Sequence, residues 1–527
     1  MAKVTTTKPG KTDPPTVPDA RGRARVVVIG GGPGGYEAAL VAARAGAGVT
    51  LVERHGLGGA AVLTDVVPSK TLIATAEWMT IAARAPELGI RAAGGGPYGP
   101  DRADGADGTD GTDGSAGTGP DGFSRFTRFT VDLGRVNERV RELATAQSAD
   151  IRARLESVGV RVVAGRARLD GPHRVVVAPA STGDAGPPAG RSTSAADPLA
   201  FDADAVLLAT GATPRVLPGA VPDGERILDW TQLYRLGDLP ERLVVVGSGV
   251  TGAEFAGAYG ALGCDVVLVS SRERVLPSED PDAADVIEEV FRSRGMTVLG
   301  RSRASGVRRV GDGVEVTLED GRVVAGSHCL LAVGSVPATD GLGLADAGVR
   351  LTGSGHVEVD RVSRTSAPGV YAAGDCTGVL PLASVAAMQG RIAMAHALGG
   401  AVAPLDLRTV AANVFTAPEI ASVGASQRSL AASGTRYVTS RLELARNPRA
   451  KMLGMRDGFV KLFAHEATGI VLGGTVVAPR AGELIFPVTL AVAQRLTADD
   501  VAQAFTVYPS LSGSIAEVAR LLPVVDG

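Results

Sequence analysis

A stretch near the N-terminus, residues 25–54, constrains the fold more than any other part of the 527-residue chain. It consists of an apolar β-branched run, a glycine-rich turn, an alanine-rich segment and a second apolar run. This order predicts a buried strand, a helix and a second, parallel strand. The turn has the spacing G-x-G-x-x-G, with glycines at Gly30, Gly32 and Gly35. The stretch therefore predicts a Rossmann-type unit that binds a dinucleotide.

Each part of this unit has a physical role in the predicted site. Gly30 permits the tight turn, Gly32 lets the backbone approach a pyrophosphate, and Gly35 allows the helix to pack closely on the strand. The amides and dipole at the helix N-terminus favour the phosphate charge. Glu53 ends the second strand, 18 residues after Gly35. Its carboxylate is placed to accept hydrogen bonds from ribose hydroxyls of an adenosine.

Residues 242–269 repeat the pattern, which predicts a second dinucleotide site. The glycines of this second fingerprint are Gly247, Gly249 and Gly252. Ser270 stands where the first unit has Glu53, and Arg272 and Arg274 follow. A serine removes the repulsion against a 2′-phosphate, and guanidinium groups suit phosphate. We therefore expect NADPH to be used at least as well as NADH, although the arginines could equally lie in a solvated loop.

Composition excludes several classes of protein. The chain has 53 basic and 56 acidic residues, a net charge of −3, which gives no electrostatic case for nucleic-acid binding. No apolar run reaches the length of a membrane span. Residues 1–23 are polar and lack the apolar core of a signal peptide, so we expect a disordered tail on a cytoplasmic protein. The three cysteines are far apart, without the spacing of a disulfide framework or a metal site.

Residues 56–72, GLGGAAVLTDVVPSKTL, resemble the redox-active segment of the pyridine nucleotide-disulfide oxidoreductases, the family of lipoamide dehydrogenase and glutathione reductase. The pattern of that family is GG-T-C-x-x-x-x-C-x-P-S-K. The positions that match it are Gly58, Gly59, Pro68, Ser69 and Lys70. Ala61 and Val66 stand at the two cysteine positions. The resemblance implies the branch of NAD(P)H quinone reductases that lacks the redox-active cysteines.

The same resemblance implies roles for residues spread along the chain. Lys70 is expected beside the flavin N5, paired with Glu254. Other positions are expected to bind FAD: Gly59, the ATG turn with Thr210 and Gly211, the Gly374–Asp375 pair, and Ala383 at the start of a helix that faces the flavin. Residues 507–513, VYPSLSG, are similar to the family's H-P-T-L-S-E, in which the partner subunit supplies a His-Glu pair. Here Tyr508 replaces the histidine and Gly513 the glutamate.

The resemblance implies a homodimer of α/β chains, each with two Rossmann-like dinucleotide-binding domains and a C-terminal α+β dimerisation domain. The expected divisions are a tail (1–23), an FAD domain in two parts (24–219 and 338–404), an NAD(P) domain (220–337) and a dimerisation domain (405–527). Within the first part of the FAD domain, the polar tracts at about 94–122 and 181–197 predict disordered insertions.

The implied activity is hydride transfer from NAD(P)H through FAD to a quinone-type acceptor, without a redox-active disulfide. Lys70, Glu254 and Tyr508 are the expected catalytic residues. Tyr508 could bind a quinone oxygen, or it could only fill the space that the family's histidine leaves. Two other functions stay open from the sequence: a disulfide or lipoamide-type reductase with a non-standard thiol such as Cys376, and a non-catalytic flavin-bearing structural dimer.

Overall fold

The structure is a computed structural model that describes residues 23–90, 130–179 and 198–523. The predicted N-terminal tail and the two predicted insertions lie outside these ranges, except for Arg23. In chain order the strands are β1 (Arg25–Ile29), β2 (Gly48–Glu53), β3 (Arg161–Ala164), β4 (Arg166–Leu169), β5 (Arg174–Ala178), β6 (Leu199–Asp202), β7 (Ala205–Leu208), β8 (Ala212–Pro214), β9 (Ile227–Asp229), β10 (Arg242–Val246), β11 (Asp265–Val269), β12 (Thr297–Leu299), β13 (Ala304–Val310), β14 (Gly313–Leu318), β15 (Val323–Gly326), β16 (His328–Leu331), β17 (Ser335–Pro337), β18 (Val370–Ala372), β19 (Ala411–Val414), β20 (Glu419–Gly424), β21 (Tyr437–Glu443), β22 (Phe459–His465) and β23 (Val471–Ala478). The α-helices are α1 (Pro33–Arg44), α2 (Gly59–Leu63), α3 (Val66–Ala83), α4 (Leu133–Ser157), α5 (Val250–Leu262), α6 (Pro281–Ser293), α7 (Ala383–Ala397), α8 (Gln427–Ser433), α9 (Pro448–Met452), α10 (Ala481–Leu484), α11 (Phe486–Gln494), α12 (Ala498–Gln503) and α13 (Gly513–Arg520).

The first parallel sheet has the strand order β18-β7-β1-β2-β3. The central strand is β1, which pairs in parallel with β2 and β7. Val28 on β1 lies beside Leu51 on β2 and Leu207 on β7. These three side chains are fully buried, as expected of parallel strands covered on both faces. Helix α1 crosses α7 so closely that a methyl group on Gly390 would collide with the carbonyl oxygen of Gly34. The sheet and these helices hold the carboxyl ends of β1 and β2 together at one edge.

The second parallel sheet repeats this arrangement, with the order β9-β16-β10-β11-β12. Strand β10 takes the central place of β1 and pairs in parallel with β11 and β16. Each parallel sheet is accompanied by a three-stranded antiparallel sheet, β4-β5-β6 in the first unit and β13-β14-β15 in the second. Two-stranded pairing of β8 with β17 ties the two units together. The chain therefore contains two copies of one Rossmann-like plan.

The C-terminal part is an α+β unit around an antiparallel sheet of order β19-β20-β23-β22-β21. Helices α11 and α13 bury apolar side chains against this sheet, including Val488, Ile515 and Val518. The predicted fold class is confirmed by these three units. Within the part of the chain that the structure describes, no helix is long and apolar enough to cross a membrane.

The structure tests three further elements that the sequence predicts. The apolar run that begins at Ala205 predicts a buried strand that ends in the ATG turn; β7 ends at Leu208, and the chain turns through Gly211, whose φ is +70°, before β8. The apolar spacing over residues 129–158 predicts a long amphipathic helix with Val136, Val140, Leu143 and Ile151 on one face. This prediction is corrected in two respects, because α4 begins at Leu133 and Leu143 is 41% exposed. Residues 330–337 resemble the family's return strand, but they lie in two strands, β16 and β17.

Candidate active site

The first glycine fingerprint forms a cradle at the carboxyl end of β1. A methyl group on Gly30 would collide with the carbonyl oxygen of Ala209, and one on Gly35 with the carbonyl oxygen of Gly30. A methyl group on Gly32, in contrast, would meet nothing within 4 Å. The outer two glycines are thus required by packing, and the middle one leaves open space at the N-terminus of α1. A pyrophosphate fits such a space, because amides and the helix dipole face it.

The second fingerprint reproduces this geometry at the carboxyl end of β10. A methyl group on Gly247 would collide with the carbonyl oxygen of Ala332, and one on Gly252 with that of Gly247. Gly249 again meets nothing within 4 Å. Two cradles of one shape, each in front of a helix N-terminus, fit two pyrophosphate groups.

The two cradles differ where the ribose of a bound adenosine is expected. Glu53 accepts a hydrogen bond from the amide of Gly31 at 2.5 Å, and its other oxygen accepts from the amides of Arg54 and His55 at 2.7 Å. At the same place in the second unit, the buried Ser270 hydroxyl lies 2.6 Å from that of Ser248.

The polar turn after Ser270 carries two exposed arginines. Arg274 lies 3.4 Å from the carboxylate of Asp285. The Arg272 guanidinium has no ion-pair or hydrogen-bond partner among the described residues. The second cradle therefore has a serine where the first has a carboxylate, and Arg272 is the arginine of this turn whose guanidinium lacks a partner among the described residues.

The remaining residues predicted for FAD lie around the first cradle. Oγ1 of Thr210 donates to the carbonyl of Ala338 at 2.7 Å, and the Ala338 amide donates to the carbonyl of Gly211, which fixes this turn against the returning chain. Gly59 approaches the cradle closely, since a methyl group on it would lie 2.8 Å from Cα of Gly32.

Gly374 and Asp375 lie just beyond β18. The amide of Gly374 donates to the buried side chain of Gln389 at 2.9 Å. Burial raises the pKa of Asp375, and its carboxylate accepts no hydrogen bond from any described residue. Such a carboxylate is available to ligand hydroxyls. Ala383 is the first residue of α7, as predicted.

Lys70 and Glu254 form a pair that the fold brings together from α3 and α5. Their charged atoms lie 2.6 Å apart, and the Glu254 side chain is almost completely buried. The second oxygen of Glu254 accepts from the amide of Phe415 at 2.8 Å, and the ammonium of Lys70 lies 4.7 Å from the centre of the Phe415 ring. The carboxylate and the ring therefore hold the lysine side chain in one place.

Ala61 and Val66 lie on α2 and at the first position of α3, on either side of a break in the helix at Thr64 and Asp65. The amide of Asp65 donates to the carbonyl of Ala60, and the carbonyl of Asp65 accepts from the amide of Ser69, both at 2.8 Å. Burial raises the pKa of the Asp65 carboxyl to about 6; Lys70 acts against this, and the charge of Glu254 adds to it. A carboxyl whose pKa is raised by burial thus lies between the two positions that hold cysteines in the family pattern.

All three cysteines are buried and free. The Cys376 thiol donates to the carbonyl of Ala373, and burial raises its pKa to about 11. Burial likewise raises the pKa of Cys264 to about 12, and that of Cys329 further. None of these thiols is exposed or ionised near neutral pH, as a nucleophilic thiol must be.

Tyr508 and Gly513 lie in the C-terminal unit, outside the elements that carry Lys70 and Glu254. Tyr508 is 80% exposed, and the neighbouring Phe505 and Val507 are also exposed. Gly513 begins α13 and carries no side chain toward any site. A single chain therefore leaves Tyr508 to face solvent or a second subunit.

Sequence reasoning missed Phe415, Gln389 and Asp65. Phe415 acts through contacts with Lys70 and Glu254, which are far away in the chain, and Gln389 acts through the amide of Gly374 on a neighbouring element. Asp65 offered a signal in the sequence, because it is the only charged residue in the apolar run between Gly58 and Pro68.

Similar proteins show the family to which this chain belongs. The family described as "Pyridine nucleotide-disulphide oxidoreductase" matches residues 24–390, and the dimerisation domain of that family matches residues 410–519. A Mycobacterium tuberculosis protein named "NAD(P)H dehydrogenase (quinone)" is 51% identical over 511 residues, 95% of this chain and 94% of that protein. A dihydrolipoyl dehydrogenase of Chlorobaculum parvum is 32% identical, over 94% of this chain and 96% of its own.

Among solved structures, LpdA from Mycobacterium tuberculosis superposes with a TM-score of 0.82 at 50% sequence identity. The match covers 94% of this chain and 99% of that one. Members of the matched family use FAD and a pyridine nucleotide, for which the two cradles provide sites. The chain belongs to the pyridine nucleotide-disulphide oxidoreductase family.

Proposed function

We propose that this protein transfers electrons from NAD(P)H through FAD to a diffusible quinone-type acceptor, without a redox-active disulfide. The observation that carries the proposal is the combination of two intact nucleotide cradles with Ala61 and Val66 at the dithiol positions. A chain of this kind retains both nucleotide sites and has lost the thiols through which its relatives reduce disulfides. Electrons must then leave by direct transfer to the acceptor.

The residues present fit FAD in the first cradle. Gly30, Gly32 and Gly35 leave room for its pyrophosphate, Glu53 for its ribose, and the unpaired carboxylate of Asp375 for its hydroxyls. When bound, FAD accepts a hydride from a nicotinamide and passes two electrons on. NADPH or NADH would occupy the second cradle, with its adenosine ribose toward Ser270, Arg272 and Arg274.

Lys70 holds a fixed positive charge in this site. Glu254 and Phe415 both contact the ammonium group: the Glu254 carboxylate binds it at 2.6 Å, and it lies over the Phe415 ring, 4.7 Å from the ring centre. We propose that this charge stabilises negative charge that develops on the bound flavin. Glu254 is thus a positioning residue that acts through Lys70.

Small apolar side chains at positions 61 and 66 favour a planar, apolar acceptor. Two cysteines would have filled this space with polar, reactive sulfur, whereas Ala61 and Val66 leave an apolar wall. The curated relative that is 51% identical carries the word quinone in its name, which supports this class of acceptor. We propose that Tyr508 of the partner subunit completes the wall and donates a hydrogen bond to a quinone oxygen.

The exposure of Tyr508 supports a homodimer. Phe505, Val507 and Tyr508 form an apolar segment that a single chain leaves in solvent, and the matching dimerisation domain includes it. Large exposed apolar side chains of this kind are typical of an interface. We therefore propose one acceptor site at each end of a two-subunit assembly.

Two other functions have less support. A reductase with a non-standard thiol would need an accessible thiolate, and Cys376 is fully buried with a raised pKa. A flavin-bearing structural dimer would not need a second glycine cradle of the same geometry as the first. Both features favour direct electron transfer to a small acceptor.

Anaerobic addition of NADPH tests the proposal. We expect the visible flavin absorbance of the purified protein to bleach and to return when menadione is added. Return only with a disulfide such as lipoamide would establish the thiol reductase instead. If neither NADPH nor NADH bleaches the flavin, the result would support the non-catalytic, flavin-bearing structural dimer.

A further inference from the structure

The proposed reaction requires one more proton than the nicotinamide supplies. A hydride from NAD(P)H carries two electrons and one proton, whereas a quinone that becomes a hydroquinone gains two electrons and two protons. The second proton must come from a group on the protein or from water. An acid beside the acceptor accelerates such a transfer when its pKa lies near the working pH.

Few described groups near the dithiol positions can provide this proton. The ammonium of Lys70 is bound by Glu254, and both oxygens of Glu254 already accept hydrogen bonds. The thiol of Cys376 is fully buried and donates to backbone carbonyls. Asp65, in contrast, makes no side-chain hydrogen bond to any described residue and no ion pair within 4 Å.

The backbone holds Asp65 at the break between α2 and α3. Its amide is bound to the carbonyl of Ala60 and its carbonyl to the amide of Ser69, so neither neighbouring helix can turn without moving it. It directly precedes Val66, which forms the apolar wall of the proposed acceptor site. The carboxyl thus belongs to the segment that the dithiol occupies in disulfide-reducing relatives.

Four charged or titratable groups face Asp65 from the elements around it. They are Lys70 on α3, Glu254 on α5, Asp375 after β18, and Tyr234 in the turn after β9. Since Lys70 is neutralised by Glu254, an ionised Asp65 adds surplus negative charge to a site that already holds Asp375. Burial and these carboxylates together favour the protonated form, with a pKa of about 6.

We propose, on the basis of the function proposed above, that Asp65 is the proton donor of the acceptor site. The O–H bond of its carboxyl breaks as the new O–H bond forms on the quinone oxygen. The electron pair and the first hydrogen come from the nicotinamide by way of the bound cofactor. The Asp65 carboxylate then takes a proton from water, which restores the starting state.

The decisive comparison uses two acceptors on FAD-loaded protein. Menadione needs two protons for its reduction, whereas ferricyanide accepts single electrons and no proton. Asp65→Asn should lower kcat with menadione by about 10²-fold, a typical contribution of a positioned acid, and leave the rate with ferricyanide unchanged. Asp65→Glu, which retains a carboxyl, should recover part of the menadione rate.

A pH profile and a spectroscopic titration complete the test. The wild-type rate with menadione should fall as pH rises through the titration of Asp65. This decrease in rate with pH should be absent in Asp65→Asn. Difference infrared spectra of the oxidised protein should contain a protonated-carboxyl band that titrates near pH 6 and is lost in Asp65→Asn. Glu279→Gln is the matched control, because it removes another acid whose pKa is raised by burial.

The outcomes separate the two proposals. Equal losses with both acceptors in Asp65→Asn, or no titrating band, would overturn the role of Asp65. Wild-type protein that reduces ferricyanide and fails with every quinone would overturn the proposed function, while the infrared band would still report the ionisation of Asp65.

Discussion

At the scale of single residues, the proposed nucleotide sites depend most directly on Gly32 and Gly249. Both occupy the middle of a glycine fingerprint, and both face space that no described atom fills within 4 Å. Their backbone angles are nearly the same, with φ near −70° and ψ near 180°, so neither requires glycine for conformational reasons. We propose that glycine is present at both positions because a bound pyrophosphate needs the space that a side chain would fill.

Substitution of these glycines should therefore remove one nucleotide at a time. Gly32→Val should give protein that lacks bound FAD and the yellow colour, because the side chain would occupy the place of the pyrophosphate. Gly249→Val should retain FAD but resist bleaching by NADPH. The visible spectrum before and after NADPH addition measures both effects.

Gly237→Val provides the control, since Gly237 also has open space around it and lies outside both cradles. It should retain FAD and bleach normally. Full FAD content in Gly32→Val would refute the assignment of the first cradle.

Asp65 should also make stability depend on pH. Its carboxyl has a pKa of about 6 in the folded chain and near 3.8 when unfolded. Between these values the folded state binds more protons than the unfolded state, so the free energy of unfolding falls as pH rises from about 4 to 6. At about 1.4 kcal/mol per pKa unit, the loss approaches 3 kcal/mol at pH 7.

Asp65→Asn removes this pH-dependent loss. Its free energy of unfolding should therefore rise relative to that of the wild type between pH 4 and pH 7. Urea unfolding at several pH values measures the difference in free energy. A difference that is constant across this range would mean that Asp65 titrates normally in the folded chain.

At the scale of elements, we propose that the turn after β11 determines the preference for NADPH or NADH. Strands β2 and β11 are equivalent, and Glu53 and Ser270 occupy equivalent positions at their ends. Ser270→Glu should restore the carboxylate that accepts from ribose hydroxyls and repels a 2′-phosphate. We expect the ratio of kcat/KM for NADPH over NADH to fall by about 1–3 kcal/mol in free energy, the scale of one charged hydrogen bond.

Ser271→Glu is a matched control, because it adds the same charge at the neighbouring exposed position. An equal change in the ratio for both variants would show that net charge alone acts. If Ser270→Glu leaves the NADPH/NADH ratio of kcat/KM unchanged, the residue at this position does not determine the nucleotide preference, and the comparison with Glu53 fails.

Local patterns predicted these elements well because their causes are local. The glycine spacing and the β-branched runs at residues 25–54 determine a turn, a strand and a helix within one short stretch. Whether a helix face is buried depends on distant parts of the chain. Leu143 has the spacing of a buried position but is exposed, because periodicity does not identify the neighbours that cover a face. The pairing of Lys70 with Glu254 came only from the resemblance, since 184 residues separate them. The pKa of Asp65 depends on burial and on charged groups from α3, α5 and the turn after β18, so local sequence could not predict it.

At the scale of the whole molecule, one buried lysine joins the second Rossmann-like unit to the antiparallel sheet. Lys461 on β22 binds Asp280 at 3.0 Å and Asp282 at 2.8 Å, both at the start of α6, and its side chain is almost fully buried. Lys461→Met should destabilise the protein by about 3–5 kcal/mol, because it leaves Asp280 buried without its partner. Chemical unfolding measures this loss.

When Asp280→Asn is combined with Lys461→Met, part of the lost stability should be recovered, because the uncompensated buried charge is removed. Lys451→Met, at an exposed lysine, is the control and should change little. Equal stability of Lys461→Met and the wild type would mean that the buried pair makes no net contribution across this junction.

At the scale of the dimer, we expect that the protein does not reduce disulfide substrates. Neither dihydrolipoamide nor oxidised glutathione should be turned over, because Ala61 and Val66 supply no thiol. Ala61→Cys with Val66→Cys should give a disulfide that NADPH reduces but that exchanges slowly with substrate. A positioned base typically contributes about 10²–10⁴-fold, and Tyr508 and Gly513 provide none.

Tyr508→His with Gly513→Glu should return part of that factor, and should do so across the subunit interface. In a mixed dimer, one chain carries only the two cysteines and the other only the histidine and glutamate. One of its two sites then contains all four groups, so lipoamide reduction should appear at half the rate per dimer of a protein with all four substitutions in each chain. Activity in a dimer of the cysteine chain alone that equals the mixed dimer would refute the shared site. Efficient lipoamide reduction by the wild type would overturn the entire assignment and require a thiol such as Cys376 to become accessible.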